Sequence, residues 1–82
     1  MVWTPRPGWV TVRLVGSCAD PALRRGEVVI HSPMEDLDIP GRGMELTQGT
    51  LVIVLARESH LIEDDLHLVP EEAVVAMGEA LP

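Results

Sequence analysis

Through its hydrophobic segments the chain alternates apolar and polar positions with the two-residue period of β-structure. In "WVTVRLV" (residues 9–15) Val10, Val12 and Leu14 fall on one side and Thr11, Arg13 and Val15 on the other, the pattern of a half-buried strand. "EVVIHS" (residues 27–32) reads as a second strand. "TLVIVLARE" (residues 50–58), reached through a Gln48-Gly49 turn, is the most hydrophobic of them and is expected to be the most buried. "LHLV" (residues 66–69) alternates again. Between these lie breakers. "GSCADPALRRG" (residues 16–26) has small residues, Asp20 before Pro21 and a glycine at each end, which predicts a loop. "PMEDLDIPGRG" (residues 33–43) combines two prolines, two glycines and three acids, which predicts an excursion or hairpin outside the core. "SHLIEDD" (residues 59–65) is expected to be a short acidic connection. Four or five short strands with turn signals between them predict an all-β domain, a small barrel or sandwich.

The closing stretch "LHLVPEEAVVAMGEAL" (residues 66–81) fits two templates. Pro70, Glu71, Glu72 and Gly78 stand where a short helix would start and stop. The alternating "LHLV", the turn "PEE" and the β-branched "AVVAM" also make a strand, a turn and a strand. A helix over residues 70–77 would have about two turns, below the ~12–15 residues at which isolated helices become marginal.

Composition narrows the function classes. Eighty-two residues make one domain, and a chain of this size buries little core, so self-association is a common supplement. The net charge of −7 and six scattered arginines, with no lysine, argue against nucleic acid. The longest apolar run, "LVIVLA" (residues 51–56), is strand-sized, so no membrane span is expected. "MVWTPRPGW" lacks the layout of a signal peptide. Cys18 is the single cysteine, which fits a reducing cytoplasm. There is no Phe or Tyr, only Trp3 and Trp9, so the core falls to aliphatic residues and a base- or sugar-stacking platform is hard to build.

The order of the segments resembles the GroES-type co-chaperonins over most of the chain. "RPGWVTVR" (residues 6–13) is similar to that family's opening Arg-Pro pair and first strand, and "RRGEVVIHS" (residues 24–32) to the strand after its mobile loop. "ELTQGTLVIV" (residues 45–54) resembles its turn-and-strand unit, and "LHLVPEEAVVAM" (residues 66–77) its closing strand, acidic turn and strand. The resemblance implies a small β-barrel and decides the closing stretch for strand, turn, strand. It also implies that the last strand pairs with the first strand of the adjacent subunit, closing a ring of seven that caps a chaperonin cavity. Val10, Val12, Val74 and Val75 would then lie at the subunit interface, with Trp3 and Trp9 anchoring the terminal strand beside it. Residues 16–26 would be the mobile loop, shorter than the family's, with Pro21, Ala22 and Leu23 as the aliphatic contact to the chaperonin. Residues 33–43 match the family's roof hairpin in position, length and polarity, without a diagnostic residue; Glu35, Asp36 and Asp38 would line it. Such a subunit has no catalytic residue, no metal and no cofactor of its own, and its partners are other copies and the chaperonin ring.

Other constellations carry less chemistry. His60, Glu63, Asp64, Asp65 and His67 are possible metal ligands, but they straddle a turn between strands of alternating faces, and a solvated acidic turn is the plain reading. Cys18 would need a base or cation to become a thiolate, and Arg24 and Arg25 are near it only in sequence. His31-Ser32 and Ser59-His60 are adjacent pairs whose side chains diverge on a strand. "GRG" (residues 41–43) precedes no helix and makes no phosphate loop. The alternative to a co-chaperonin is a structural or assembly barrel, such as a virion or adaptor component, that self-associates through the same terminal strands. A monomeric binding module of the SH3 or OB kind would need a basic or aromatic face that the sequence lacks.

Overall fold

The alternating run near the start of the chain forms a strand longer than its apolar core: β1 is Trp9–Ser17. A computed structural model describes residues 3–34 and 46–78, and within them the fold is all-β. The further strands are β2 (Leu23–Ser32), β3 (Leu51–Leu55), β4 (His60–Glu63), β5 (Leu66–Pro70) and β6 (Val74–Gly78). Single 3₁₀ turns at Ala56–Glu58 and Glu71–Ala73 join β3 to β4 and β5 to β6. All pairings are antiparallel, in one sheet ordered β4-β5-β1-β2-β3-β6.

Chain connectivity requires that sheet to curl. β5 and β6 are consecutive in sequence, yet β1, β2 and β3 lie between them in the sheet. Laid flat, four interstrand spacings would separate them by about 19 Å. The four residue steps from Pro70 to Val74 reach at most about 14 Å. The sheet therefore wraps toward a barrel and brings its inner faces together. It does not close, because β4 and β6 remain as edges.

Inside the curl sit Val10, Val12, Val28, Val52, Val54 and Val69, all at 2% exposure or less, joined by Leu46, Ala73 and Val74. Valine's branched side chain suits the pleated surface, and a small interior leaves no room for the rings this sequence lacks. Thr11 is also fully buried, on the other face of β1. Val29 of β2 has no partner there, since Thr11 pairs with Ile30 and Val12 with Val28. At this bulge the Thr11 hydroxyl accepts from the Ile30 N–H at 3.1 Å and donates to the Ile30 carbonyl at 3.3 Å. Further along, β1 and β2 approach so closely at Gly26 that a β-carbon there would lie 2.2 Å from Val12 Cγ1.

The closing stretch is a strand, a turn and a strand. Elsewhere the sequence boundaries shift. Gly16 and Ser17 belong to β1, and Leu23, Arg24, Arg25 and Gly26 to β2, so the connection expected over residues 16–26 shrinks to residues 18–22. "SHLIEDD" contains a strand, β4. The strand expected over residues 50–58 stops at Leu55 and continues as a 3₁₀ turn. Most of the excursion at 33–43, with Glu35, Asp36, Asp38 and the "GRG" tripeptide, lies outside the described residues. No helix among the described residues is long and apolar enough to cross a membrane.

Candidate functional site

Sheet edges are where a curled, unclosed sheet can engage another chain, because their backbone N–H and C=O groups are unpaired on one side. The two edges here differ in chemistry. β4 has four residues, carries His60 and Glu63, and leads into Asp64 and Asp65. The N-terminal segment also folds back onto it: the Trp3 indole N–H donates to Glu63 Oε1 at 3.1 Å. Charge and a docked side chain are ordinary protections for an edge.

β6 has neither. Its sequence is "VVAMG", uncharged and without proline. Val74 points into the core, while Val75, Ala76, Met77 and Gly78 are exposed, Val75 at 51% and Met77 at 48%. One side of the strand pairs with β3, with Val75 as the extra residue of a bulge. The other side is unpaired among the described residues. Gly78 lies opposite Leu51, itself half exposed, so apolar surface continues from the edge onto the outside of β3. This arrangement can accept an extended backbone and cover apolar side chains.

The residues expected at a subunit interface divide. Val10 and Val12 are fully buried in the chain's own core, with β2 on one side of their strand and β5 on the other, so they have no surface for a neighbour. That corrects their assignment: the strand that begins the sheet order in sequence ends up in its middle. Val74 is 8% exposed, and only Val75 of the four presents its side chain outward. β1 is uncovered by β5 only past Arg13, and the Leu14 N–H is taken by the Asp65 carbonyl, which leaves residues 15–17.

Pro21, Ala22 and Leu23 sit at the tip of the β1–β2 hairpin. Pro21 and Ala22 are exposed and Leu23 is half-buried. The tip is tied down. Asp20 Oδ1 accepts from the Ala22 N–H at 2.9 Å, the Asp20 carbonyl accepts from the Leu23 N–H, and the Ala22 carbonyl accepts from the Ala56 N–H at 2.8 Å. Cys18, in the same connection, is a half-buried free thiol.

The acidic turn does not converge on a metal. His60 pairs with Leu68 and His67 with Leu61, so the two imidazoles stand on opposite faces of the β4–β5 hairpin. Asp65 faces Arg13 at 3.5 Å, and Glu63 holds Trp3. Among the described residues no group of three possible ligands assembles. The Ser59 hydroxyl donates to the Ala56 carbonyl, away from His60.

Sequence reading passed over His31 except as a neighbour of Ser32. Its side chain is 3% exposed, with Nε2 at 2.9 Å from Glu71 Oε1 and Nδ1 accepting the Leu46 N–H at 3.1 Å. The available signal was a histidine inside an apolar strand, but strict alternation from Val28 points it outward, and only the bulge at Val29 turns it inward opposite Val10.

No protein-family model matches the chain, and a search of curated proteins finds no match.

Proposed function

We propose that this chain is a co-chaperonin-like ring subunit that caps a chaperonin cavity, assembled through the open edge of β6. The observation that carries the reading is the contrast between the β4 edge, which holds Trp3, and the uncharged β6 edge, unpaired among the described residues, with Val75, Ala76 and Met77 exposed. A ring needs a second, different surface to receive that edge, because an edge that meets only its own copy gives a two-fold dimer. On the neighbour, the stretch of first strand left open is residues 15–17. The order of strands and turns that resembles the GroES type gives the expected ring size of seven, and Pro21, Ala22 and Leu23 at the hairpin tip are the contact offered to a chaperonin. A reducing cytoplasm suits the lone Cys18 thiol.

A second reading is favoured by the hydrogen bonds that tie residues 20–23 to themselves and to Ala56. A tied tip lacks the adaptable length of a mobile loop, and suits a barrel that assembles for structural purposes without a chaperonin.

Native mass separates assembly from its absence. Seven copies of the 8.9 kDa chain would run at about 62 kDa, and Val75→Lys should reduce that species to smaller ones without unfolding it. A wild-type monomer at micromolar concentration overturns both readings. If the ring forms, a change in the ATPase rate of an added chaperonin that Leu23→Asp abolishes supports the capping role. A ring with no effect on the chaperonin leaves the structural barrel.

A further inference from the structure

We infer that β4 is the edge that receives β6 of the next copy, and that Trp3 is a guard that lifts from Glu63 to admit it; the first half takes assembly through β6 as given. Direct cross-strand partners share a face of the sheet, so the inner face can be followed outward from the core in both directions. On one side the row runs from buried Val12 to His67 and ends at Leu61 of β4. On the other it runs from buried Val52 to Met77 of β6. Leu61 is 64% exposed and Met77 48%. The lining of the curl thus runs out, at each rim, on an apolar side chain in water. A junction of β6 with β4 of another copy carries the lining across the boundary and covers both residues at once. A junction of β6 with β6 would leave Leu61 in water.

Charge sorts the pairings the same way. β4 against β4 would bring Glu63, Asp64 and Asp65 of two copies toward one another, and like charges across a strand pair oppose association. β6 is uncharged from Val74 to Gly78 and adds no acid to that edge. The two edges differ, so a β6–β4 junction is head-to-tail and repeats from copy to copy. The open stretch of β1, residues 15–17, is shorter than β4 and stops at the Asp65 carbonyl that takes the Leu14 N–H.

What covers the β4 edge is a side chain, not a strand. Among the described residues no backbone hydrogen bond joins residues 3–8 to His60–Glu63. The segment is fixed at its inner end. There the Gly8 N–H donates to the Ser32 carbonyl at 2.7 Å, the Gly8 carbonyl accepts the Glu71 N–H at 2.9 Å, and Pro5 is buried. At its outer end the exposed Trp3 indole holds Glu63 through one hydrogen bond between surface groups. A bond of that kind is readily exchanged for water, so the guard can lift while its root stays in place.

The test is cross-linking between copies in a Cys18→Ser background, with Leu61→Cys and Met77→Cys on separate chains. Mixed in equal amounts and treated with a short bis-maleimide, the two should give a covalent dimer that neither gives alone. Trp3→Ala removes the competitor for the edge, so the concentration at which half the chains are assembled, read by native mass, should fall at least about threefold. A covalent dimer from Met77→Cys alone would mean that two copies of β6 meet, and overturns the assignment. So does a link from Met77→Cys to Val15→Cys in place of Leu61→Cys, or a Trp3→Ala chain that assembles no better than wild type. An assembled wild type with no link between Leu61→Cys and Met77→Cys also overturns it, and leaves assembly itself standing. A monomeric wild type sinks the ring; if Trp3→Ala then assembles with the expected link, the receiving edge and its guard are upheld, and if it does not, they fall too.

Discussion

Gly26 and Thr11 show how much of this fold is decided by single side chains, or by the lack of one. At Gly26 the first two strands come so close that the missing β-carbon is what lets Val12 into the core. Gly26→Ala forces a backbone shift or an off-rotamer Val12, and should cost about 1–3 kcal/mol of stability in urea denaturation. Thr11 is buried with its hydroxyl serving both polar groups of Ile30 beside the bulge. Thr11→Val keeps the shape and strands an N–H and a carbonyl, and should likewise cost about 1–3 kcal/mol. Thr11 was legible only as an outward-facing strand residue, since nothing in the local sequence announces that Val29 bulges opposite it.

At the level of elements, alternation and turn residues carried the reading as far as they could. The hydrophobic centres of β1, β2, β3 and β5 stood out because a two-residue period needs only a few residues to declare itself. β4 did not, because "HLIE" has an irregular register against β5 and acidic neighbours that resemble a turn. The ends of β1 and β2 were hidden for a different reason. Small and charged residues such as Gly16, Ser17, Arg24 and Arg25 have low strand preference and enter the sheet only because β2 is held by β3 along residues 23–27. β1 has partners on both sides and β4 on one. Amide hydrogen exchange should therefore be slowest at Val10 and Val12 and fastest, among the strands, along His60–Glu63. Uniform protection across the sheet would contradict that gradient. Val75→Lys belongs to this scale too: it adds charge to an edge without removing core volume, so its effect should appear in association, and in the urea midpoint only through the stability that association adds.

At the scale of the whole molecule, the sheet order could not be read from the sequence, and the candidate site depends on it. Alternation tells which residues face inward; it does not tell which strand lies beside which. Val10 and Val12 look like interface residues when β1 is imagined at an edge, and become core once β5 covers its open side. Val75 lies on a strand that does end up at an edge, with its side chain exposed. Native mass is the measurement proper to this scale, since the bare β6 edge makes association a property of concentration as well as of the fold. The same sheet order bears on how the protein is made. β5 must reach a place beside β1 from more than fifty positions further along the chain, so a growing polypeptide cannot finish its central ladder until residues 66–70 have left the ribosome. Until then β1 has one of its two ladders, and Val10 and Val12 stand at an unfinished border. The newborn chain thus passes through a stage with two unfinished borders, β1 awaiting β5 and β3 awaiting β6, and the first is covered before the second because residues 66–70 precede residues 74–78.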